Sequence, residues 1–422
     1  MYMSKRFSVN SEFFGGIIKD NLNKENYSID KLFFDLLMIL SNNLSIEKFL
    51  EMHNNIEIKD ILEMILELLE VEIININADV KNTETDESKL VSPLRIFYDI
   101  TYACNLRCKH CFSKSGNKNS QELTLDEKII LVKQMKELGV GRVSIAGGEP
   151  LCCNDFFPFV NECRRNGIEV SVSTNGLCFD EEIVRELNEC ELKTITVSVD
   201  GDESNNDAIR GKGSFEKAVN GLKVLKKFYK YNYCIKMTLM KTNINDIEKV
   251  IKLGIDCGCN SVKFNCVRED GRALDNKNLV ILQREEYLYV LEHIEKLKEK
   301  YKDIIKIKAP LSAYCAEEYS YIKELGFGCF AGKESICVDA LGNVRACSHF
   351  PEEFIAGNIR DNTLKEIWNN SDKLSVFRNL GGNKECNECK NYDKCRGGCR
   401  YRAFLKGDIN GKDPFCFLEN ES

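Results

Sequence analysis

The sequence predicts an α/β protein in three parts. A small N-terminal α+β unit comes first, a β/α repeat of six strands curled into a partial barrel second, and a loop-rich, cysteine-bearing unit last. Three observations predict it. Strand-like apolar runs alternate with helix-period segments through the middle of the chain. None of the 21 cysteines lies between Met1 and Ile100. From about residue 325 cysteines and glycines crowd into segments without a period. At 422 residues the chain is too long for one ordinary core and suits two or three domains. The expected boundaries are 1–78, a linker at 79–92, 93–325 and 326–422.

Within the first part, KRFSVN, GGIIKD and NYSID read as strands, with turns at Gly15–Gly16 and Asn21–Asn23. The period then moves toward 3.6. KLFFDLLMILSN predicts one helix, and SIEKFLEMHN a second, with Ser45 as its N-cap. IKDILEMILELLEVEIIN predicts a third, with Ile61, Ile65, Leu68 and Leu69 on one face. The polar run DVKNTETDESKLVS predicts the linker. The six strands of the repeat are IFYDIT, GRVSIA, IEVSVST, KTITVSV, YCIKMTLM and SVKFNCV, with helical segments between them. Right-handed crossovers make such strands parallel and put chemistry at their C-terminal ends. The cysteine run after IFYDIT, GGEP, STNG and DG all fall there.

Composition narrows the function. A formal net charge of −7 argues against a nucleic-acid binder. No run of about 18 apolar residues predicts a membrane span, and no secretory signal is legible, so a cytoplasmic location is expected. There, disulfides are disfavoured. Cys163, Cys190, Cys234 and Cys266 read as small buried hydrophobes, whereas closely spaced cysteines point to metal or Fe–S ligation.

Cys104, Cys108 and Cys111 form C-x3-C-x2-C just past the first strand. Three thiolates hold three corners of a 4Fe–4S cubane and leave one iron open to a small chelator. A structural zinc loop would want a fourth protein ligand nearby. The pattern, in this place, resembles the radical SAM superfamily, in which the open iron chelates S-adenosyl-L-methionine. The resemblance implies further SAM contacts: His110 near the adenine, and Gly147, Gly148 and Glu149 of GGEP at the ammonium. It also implies Ser198 of VSVDG near ribose and carboxylate, Arg210 of AIRGKGSF at the carboxylate, and Asn175 of STNG. Glycines there would permit close backbone approach, and the arginine's planar fork suits a carboxylate.

A second pattern lies further along. Cys329 precedes Gly342 by twelve intervening residues, and Cys347 comes after that glycine by four. Cys386, Cys389, Cys395 and Cys399 read C-x2-C-x5-C-x3-C, and Cys416 closes the set in DPFC. This resembles the SPASM extension of peptide- and protein-modifying radical SAM enzymes. By that resemblance Cys329, Cys347 and Cys399 bind a first auxiliary 4Fe–4S cluster, and Cys386, Cys389, Cys395 and Cys416 a second, for three clusters in all. The first is one thiolate short. Cys337, on a probable strand, and the more distant Cys315 are the candidates; otherwise an iron is open to a substrate thiolate.

The N-terminal order of three strands then three helices resembles a winged helix-turn-helix unit. It is similar to the precursor recognition element of enzymes acting on ribosomally synthesised peptides (RiPPs). That resemblance implies a leader peptide added as a strand beside Tyr27–Asp30 and lying against the helix at Ile58–Glu70. Residues 1–92 hold 9 Lys/Arg and 17 Asp/Glu, a net of −8, which disfavours DNA and suits a basic leader.

Together these imply a radical SAM/SPASM maturase, a TIM-like partial (β/α)6 barrel with appended domains. A 5′-deoxyadenosyl radical would act on a precursor peptide, most simply to make Cys thioethers, with flavodoxin or ferredoxin as electron donor. Alternatives are C–C or C–O cyclisation, epimerisation and C-terminal decarboxylation. An anaerobic sulfatase maturase is a further alternative, disfavoured because an aspartate comes after the equivalent cysteine there and Ser348 does here. Tetrapyrrole modification and a non-catalytic peptide binder that keeps clusters for structure complete the set.

Overall fold

The computed structural model describes residues 90–309, 328–381, 384–389 and 392–416. Before them it describes 2–3, 7–12, 15–20, 26–41, 49–50, 52–53, 56, 60–61, 63–65 and 74–75. The chain divides into two compact units, one within Met1–Ser92 and one taking in Pro93–Tyr319 and Phe327–Ser422.

Five short strands build the first unit: β1 (Tyr2–Met3), β2 (Phe7–Glu12), β3 (Gly15–Asp20), β4 (Asn26–Asp30) and β5 (Ile74–Asn75). The middle three form an antiparallel meander in sequence order, with β4 at one edge. A helix, Lys31–Ser41, comes directly after β4. Its Phe34, Leu36, Leu37 and Ile39 share a core with Ile18 of β3 and with Phe49, Ile61, Met64 and Ile65 of two later helical stretches. The strands and the first helix match the sequence expectation. The third predicted helix does not run to its end, because Ile74–Asn75 pairs antiparallel with Tyr2–Met3. The β-branched residues of VEIIN favour an extended chain there. The predicted turn at Asn21–Asn23, most of the 79–92 linker, the 325/326 boundary and Cys315 lie outside the described residues.

The second unit contains all six predicted strands: β6 (Arg95–Asp99), β7 (Arg142–Ala146), β8 (Glu169–Thr174), β9 (Thr194–Ser198), β10 (Asn232–Leu239) and β11 (Ser261–Cys266). Each pairs in parallel with the next. A seventh parallel strand, β12 (Lys306–Lys308), lies beside β11. Its three residues, two of them lysine, give no apolar period to read. The C-terminal region then adds β13 (Ser335–Val338) in parallel on the far side of β6, and next to it the antiparallel β14 (Asn343–Arg345) and β15 (Gly357–Asn358). One ten-stranded sheet therefore joins the barrel to the cysteine-rich region.

Local chemistry fixes the crossovers. Helix Leu125–Leu138 opens on a Thr124/Glu127 capping box and closes on left-handed Gly139. Asp180 and Asp202 cap the helices after β8 and β9. Along the strands, burial alternates. Ile96, Tyr98, Val143 and Val170 are buried against the outer layer, whereas their neighbours, such as Phe97, Ser144 and Ser171, line a cavity of about 930 Å³. The inner face thus carries polar side chains among its apolar ones and is hollow, unlike a barrel filled by apolar layers. Cys163, Cys190, Cys234 and Cys266 are buried as expected. No described helix is long and apolar enough to cross a membrane.

The alternation predicts unequal costs along one strand. Val143→Ala, on the helix-facing side, should destabilise by about 2 kcal/mol or more. Ser144→Ala, on the cavity side, gives up a hydroxyl contact to Ser171 and should cost no more than about 1.5 kcal/mol. Thermal or denaturant unfolding of the two variants checks this; equal losses would contradict the assignment of faces.

Candidate active site

The Cys104–Cys111 loop leaves β6 and is tied off at its neck. Cys104 N–H donates to Gly116 O (2.8 Å) and Gly116 N–H to Tyr102 O (2.8 Å). The GGEP turn lies against this neck: Gly148 N–H donates to Thr101 O (2.7 Å) and Glu149 N–H to Ala103 O (2.8 Å). A Cβ on Gly148 would sit 2.0 Å from the Ala103 oxygen. One on Gly147, at φ +118°, would sit 2.5 Å from that of Thr101. The two glycines do permit close backbone approach, but the backbone approached is the chain's own.

Two other elements hold the loop from the side. Arg272, just after β11, donates from Nε to Cys108 O (2.8 Å) and from Nη1 to Ser115 O (3.0 Å), and its N–H donates to Cys111 O (2.9 Å). Its neighbour Gly271 has φ +52°, and a Cβ there would meet Cys111 O at 2.3 Å. Lys109 N–H donates to Ile209 O (2.9 Å), at the end of helix Glu203–Arg210. So held, the three cysteines line the cavity. Leu106 N–H lies 3.4 Å from Cys104 Sγ, and Arg210 Nη1 lies 4.0 Å from Cys108 Sγ. Burial pushes the Cys104 thiol up to about 11 and raises that of Cys108.

The other expected SAM contacts converge on the same space. Glu149 is buried, and both its oxygens are engaged. Oε1 accepts from Thr174 Oγ1 (2.6 Å) and Leu151 N–H (3.2 Å), and Oε2 accepts from Asn175 N–H (2.7 Å). Burial raises its pKa, against those hydrogen bonds. In this state the carboxylate fastens the turn after β7 to the turn after β8. Asn175 donates from Nδ2 to Asn105 Oδ1 (2.7 Å), beside Cys104. Ser198, at the end of β9, lines the cavity.

The sequence reading passed over Asp200, the acidic residue of the DG after β9. Asp200 is fully buried. Its Oδ2 meets His110 Nε2 at 2.7 Å and Arg210 Nε at 2.7 Å, and its Oδ1 accepts from Thr238 N–H (2.7 Å). Burial alone would raise this carboxyl, but the charges of Arg210 and His110 outweigh it and hold it at about 2. Asp200 therefore sets the positions of two expected cofactor contacts at once. Arg272 and Gly271 were also missed, since REDGR carries no motif of its own. An acidic residue in the DG turn of a strand end was the one available signal.

The C-terminal cysteines gather in two sets. Cys329, Cys337, Cys347 and Cys399 all line the cavity. The Cys347 thiol is pushed well up by burial and then by the sulfurs of Cys337, Cys329 and Cys399. Cys337, on β13 beside Phe97 of β6, is bonded by Ser348 and raised to about 12, by burial first and the Asp99 charge second. Elsewhere Cys386 is raised by burial, with contributions from Cys416 and Cys389, and Cys395 by burial, with contributions from Cys416 and Cys386. Buried Asp413 links the sets: it accepts from Cys399 N–H (2.8 Å), from Phe415 N–H (2.9 Å) and from Arg402 Nε (2.7 Å). His349 and Asp270 are hydrogen-bonded, and His349 packs on Phe112 (5.3 Å), joining this region to the first cysteine loop.

Among the described residues no three His, Cys, Asp or Glu side chains converge on a single metal ion. A cubane spreads its thiolates around a larger body. A set of three thiols facing a cavity, with an N–H directed at one sulfur, and two sets of four suit 4Fe–4S ligation.

Comparison with known proteins agrees. Residues 98–254 match the radical SAM superfamily, and residues 329–397 match the SPASM iron–sulfur cluster-binding domain. The first domain binds SAM and a 4Fe–4S cluster; the second binds auxiliary iron–sulfur clusters. Mycofactocin maturase MftC of Mycolicibacterium smegmatis is 27% identical over 347 residues, covering 79% of this chain and 85% of the relative. AdoMet-dependent heme synthase of Methanosarcina barkeri is 29% identical over 352 residues, covering 77% and 96%. Among solved structures, Streptococcus suis SuiB bound to its precursor peptide SuiA aligns with a TM-score of 0.76 at 18% identity, covering 99% of this chain and all of that one. Native anSMEcpe with bound AdoMet aligns at 0.63 with 22% identity, covering 77% and 94%.

The Asp200 network predicts a sharp cost. Asp200→Asn keeps the shape but strips the buried Arg210 of its counter-charge, and should destabilise by about 3 kcal/mol or more. SAM affinity should fall with it, while iron content holds, because among the described residues no hydrogen bond joins Asp200 to a sulfur. Unfolding, SAM titration and iron analysis of the anaerobic protein check this; unchanged SAM affinity would remove Asp200 from the site.

Proposed function

We propose that this chain, which belongs to the radical SAM superfamily and carries a SPASM domain, is a maturase of a ribosomally synthesised precursor peptide. In this reading its N-terminal unit binds the leader and its barrel modifies the core. The supporting observation is architectural. The chain keeps an antiparallel meander whose edge strand, β4, stands where β-augmentation would add a leader. Its fold matches over 99% of its length a protein solved with a precursor peptide bound. A small-molecule enzyme, the reading that the heme-synthase relative favours, has no use for that unit.

When bound, a reduced 4Fe–4S cluster together with SAM would supply the radical chemistry that abstracts a hydrogen atom from substrate carbon. The chain's residues do the rest. Cys104, Cys108 and Cys111 would hold the cluster. Asp200 holds His110 and Arg210 in place, where they would meet the cofactor. Cys337 completes the first auxiliary set with Cys329, Cys347 and Cys399, so that set needs no substrate thiolate; Cys386, Cys389, Cys395 and Cys416 hold the second. The product of this reading is a peptide thioether. What supports it is one continuous cavity lined both by the SAM-side cysteines and by the first auxiliary set. A core peptide in it would lie between the radical source and an electron acceptor.

The test is anaerobic co-expression with the small peptide encoded nearest this chain's gene, read by high-resolution mass spectrometry. Two hydrogens lost per event, with thiols protected from alkylation, is the expected result. The same loss with free thiols would point to carbon–carbon or carbon–oxygen bridges, and deuterium uptake without mass loss in ordinary water to epimerisation. Removing residues 1–90 should abolish modification. Full activity of that truncation would overturn the recognition role.

Cys337 carries its own prediction. Cys337→Ala should lower iron per chain and alter the auxiliary signal in EPR or Mössbauer spectra, while Cys163→Ala, a buried cysteine outside every set, should change neither. An unaltered auxiliary signal in Cys337→Ala would return the first set to three thiolates.

A further inference from the structure

The inner face of β9 to β12 carries a row that the cofactor sites leave unexplained. Strand register sets Ser198 beside Lys236, Lys236 beside Lys263, and Lys263 beside Lys308. Four neighbouring strands thus contribute one residue each, and all four residues line the cavity. Three are lysines. Neighbouring strands stand about 5 Å apart, and like charges placed directly opposite each other destabilise a sheet. In a partly desolvated cavity that cost grows.

Around Lys236 and Lys263 the protein supplies little to offset it. Among the described residues neither Lys236 nor Lys263 has a carboxylate at ion-pair distance. Asp200, the carboxylate whose charge bears on Lys236, is already engaged by Arg210, His110 and Thr238 N–H. Glu169, another acid on the cavity wall, is paired with Arg142 at 3.2 Å. The Lys236 ammonium is pushed down, by burial first and then by the charges of Arg210 and Lys263. Lys236 and Lys263, neighbouring cations that face the reaction space, suit an anionic group of the substrate.

We propose that Lys236 and Lys263, extended by Lys308, form a subsite for a carboxylate of the substrate peptide, either an Asp or Glu side chain or the C-terminal carboxylate. The row starts at Ser198, an expected SAM contact, so a carboxylate bound on it fixes the substrate backbone next to the cofactor. This rests on the peptide-maturase reading and adds a substrate class to it.

The test uses the reconstituted anaerobic full-length enzyme with SAM present, titrated calorimetrically with three synthetic probes. These are acetyl-tetraglutamate amide, acetyl-tetraglutamine amide, and acetyl-tetraglutamine with a free C-terminal carboxylate. At least one acidic probe should bind about tenfold or more tightly than the neutral amide, and the one that does identifies the side chain or the terminus as the source. The gain should vanish in Lys263→Gln, return in Lys263→Arg, and shrink at high salt in the unaltered enzyme, a readout that needs no variant to fold. Equal binding of all three probes, or a gain that survives both Lys263→Gln and Lys236→Gln, overturns the proposal. So does a Lys263→Gln variant that loses SAM affinity and keeps the probe gain, which would give the row to the cofactor's own carboxylate. No probe depends on the natural precursor, so a failure here and a failure of the maturase reading are told apart.

Discussion

The register between β6 and β13 is the constraint on which the arrangement of both cysteine systems depends. β6 delivers the Cys104 loop at its C-terminal end. β13 runs parallel to it, with Cys337 opposite Phe97 and Val338 opposite Tyr98. Because the strands are parallel and in register, the chain leaves β13 at the same end of the sheet at which it leaves β6. Slipping β13 by one residue would turn Cys337 to the other face, since side chains alternate. The contact between His349 and Phe112, and that between Tyr401 and the Glu269 carbonyl, then tie the later segments to the loops after β6 and β11. The auxiliary region is therefore a continuation of the barrel's sheet.

The same alternation explains the cavity. A parallel strand covered on both faces is usually apolar throughout. Here the helix-facing residues are Ile, Val and Tyr, while the inward ones include Ser144, Ser171, Thr194 and Lys236. Polar inward residues cannot fill the interior as a core without unpaired groups, so the sheet stays open and hollow. Stability must then come from the outer face, and the inner one is released for binding. The lysine row is the extreme case of that division.

Much of this was legible from the sequence, because the signals were local. C-x3-C-x2-C, GGEP and the seven C-terminal cysteines are short patterns whose chemistry lies in their spacing. The six strands have enough β-branched and aromatic residues to declare themselves. The features that escaped the reading were set by pairing between distant segments. Nothing near Asp200 in sequence reveals that His110 and Arg210 meet on it, and Arg272 reaches the cysteine loop from 164 residues away. Spacing along the chain does not describe where Cys337 lies, because β13 returns it to the side of β6. Lys236, Lys263 and Lys308 sit in three unrelated sequence contexts, and only the strand register makes them a row.

Charge gives the reading a direction. The N-terminal unit is acidic, with a net of −8 over residues 1–92, whereas the wall of the barrel cavity between β10 and β12 is lined by lysines. A peptide served by both would experience fields of opposite sign along its length. Basic residues would be attracted at its leader and acidic groups at its core, and reversing the peptide would place like charges together at both ends. In the proposed reading such charges would select orientation as well as identity, since each misplaced pair would cost free energy instead of merely failing to contribute it. A radical generated at one fixed point needs that selection more than most chemistry does, because the carbon attacked is whichever one the peptide's placement presents.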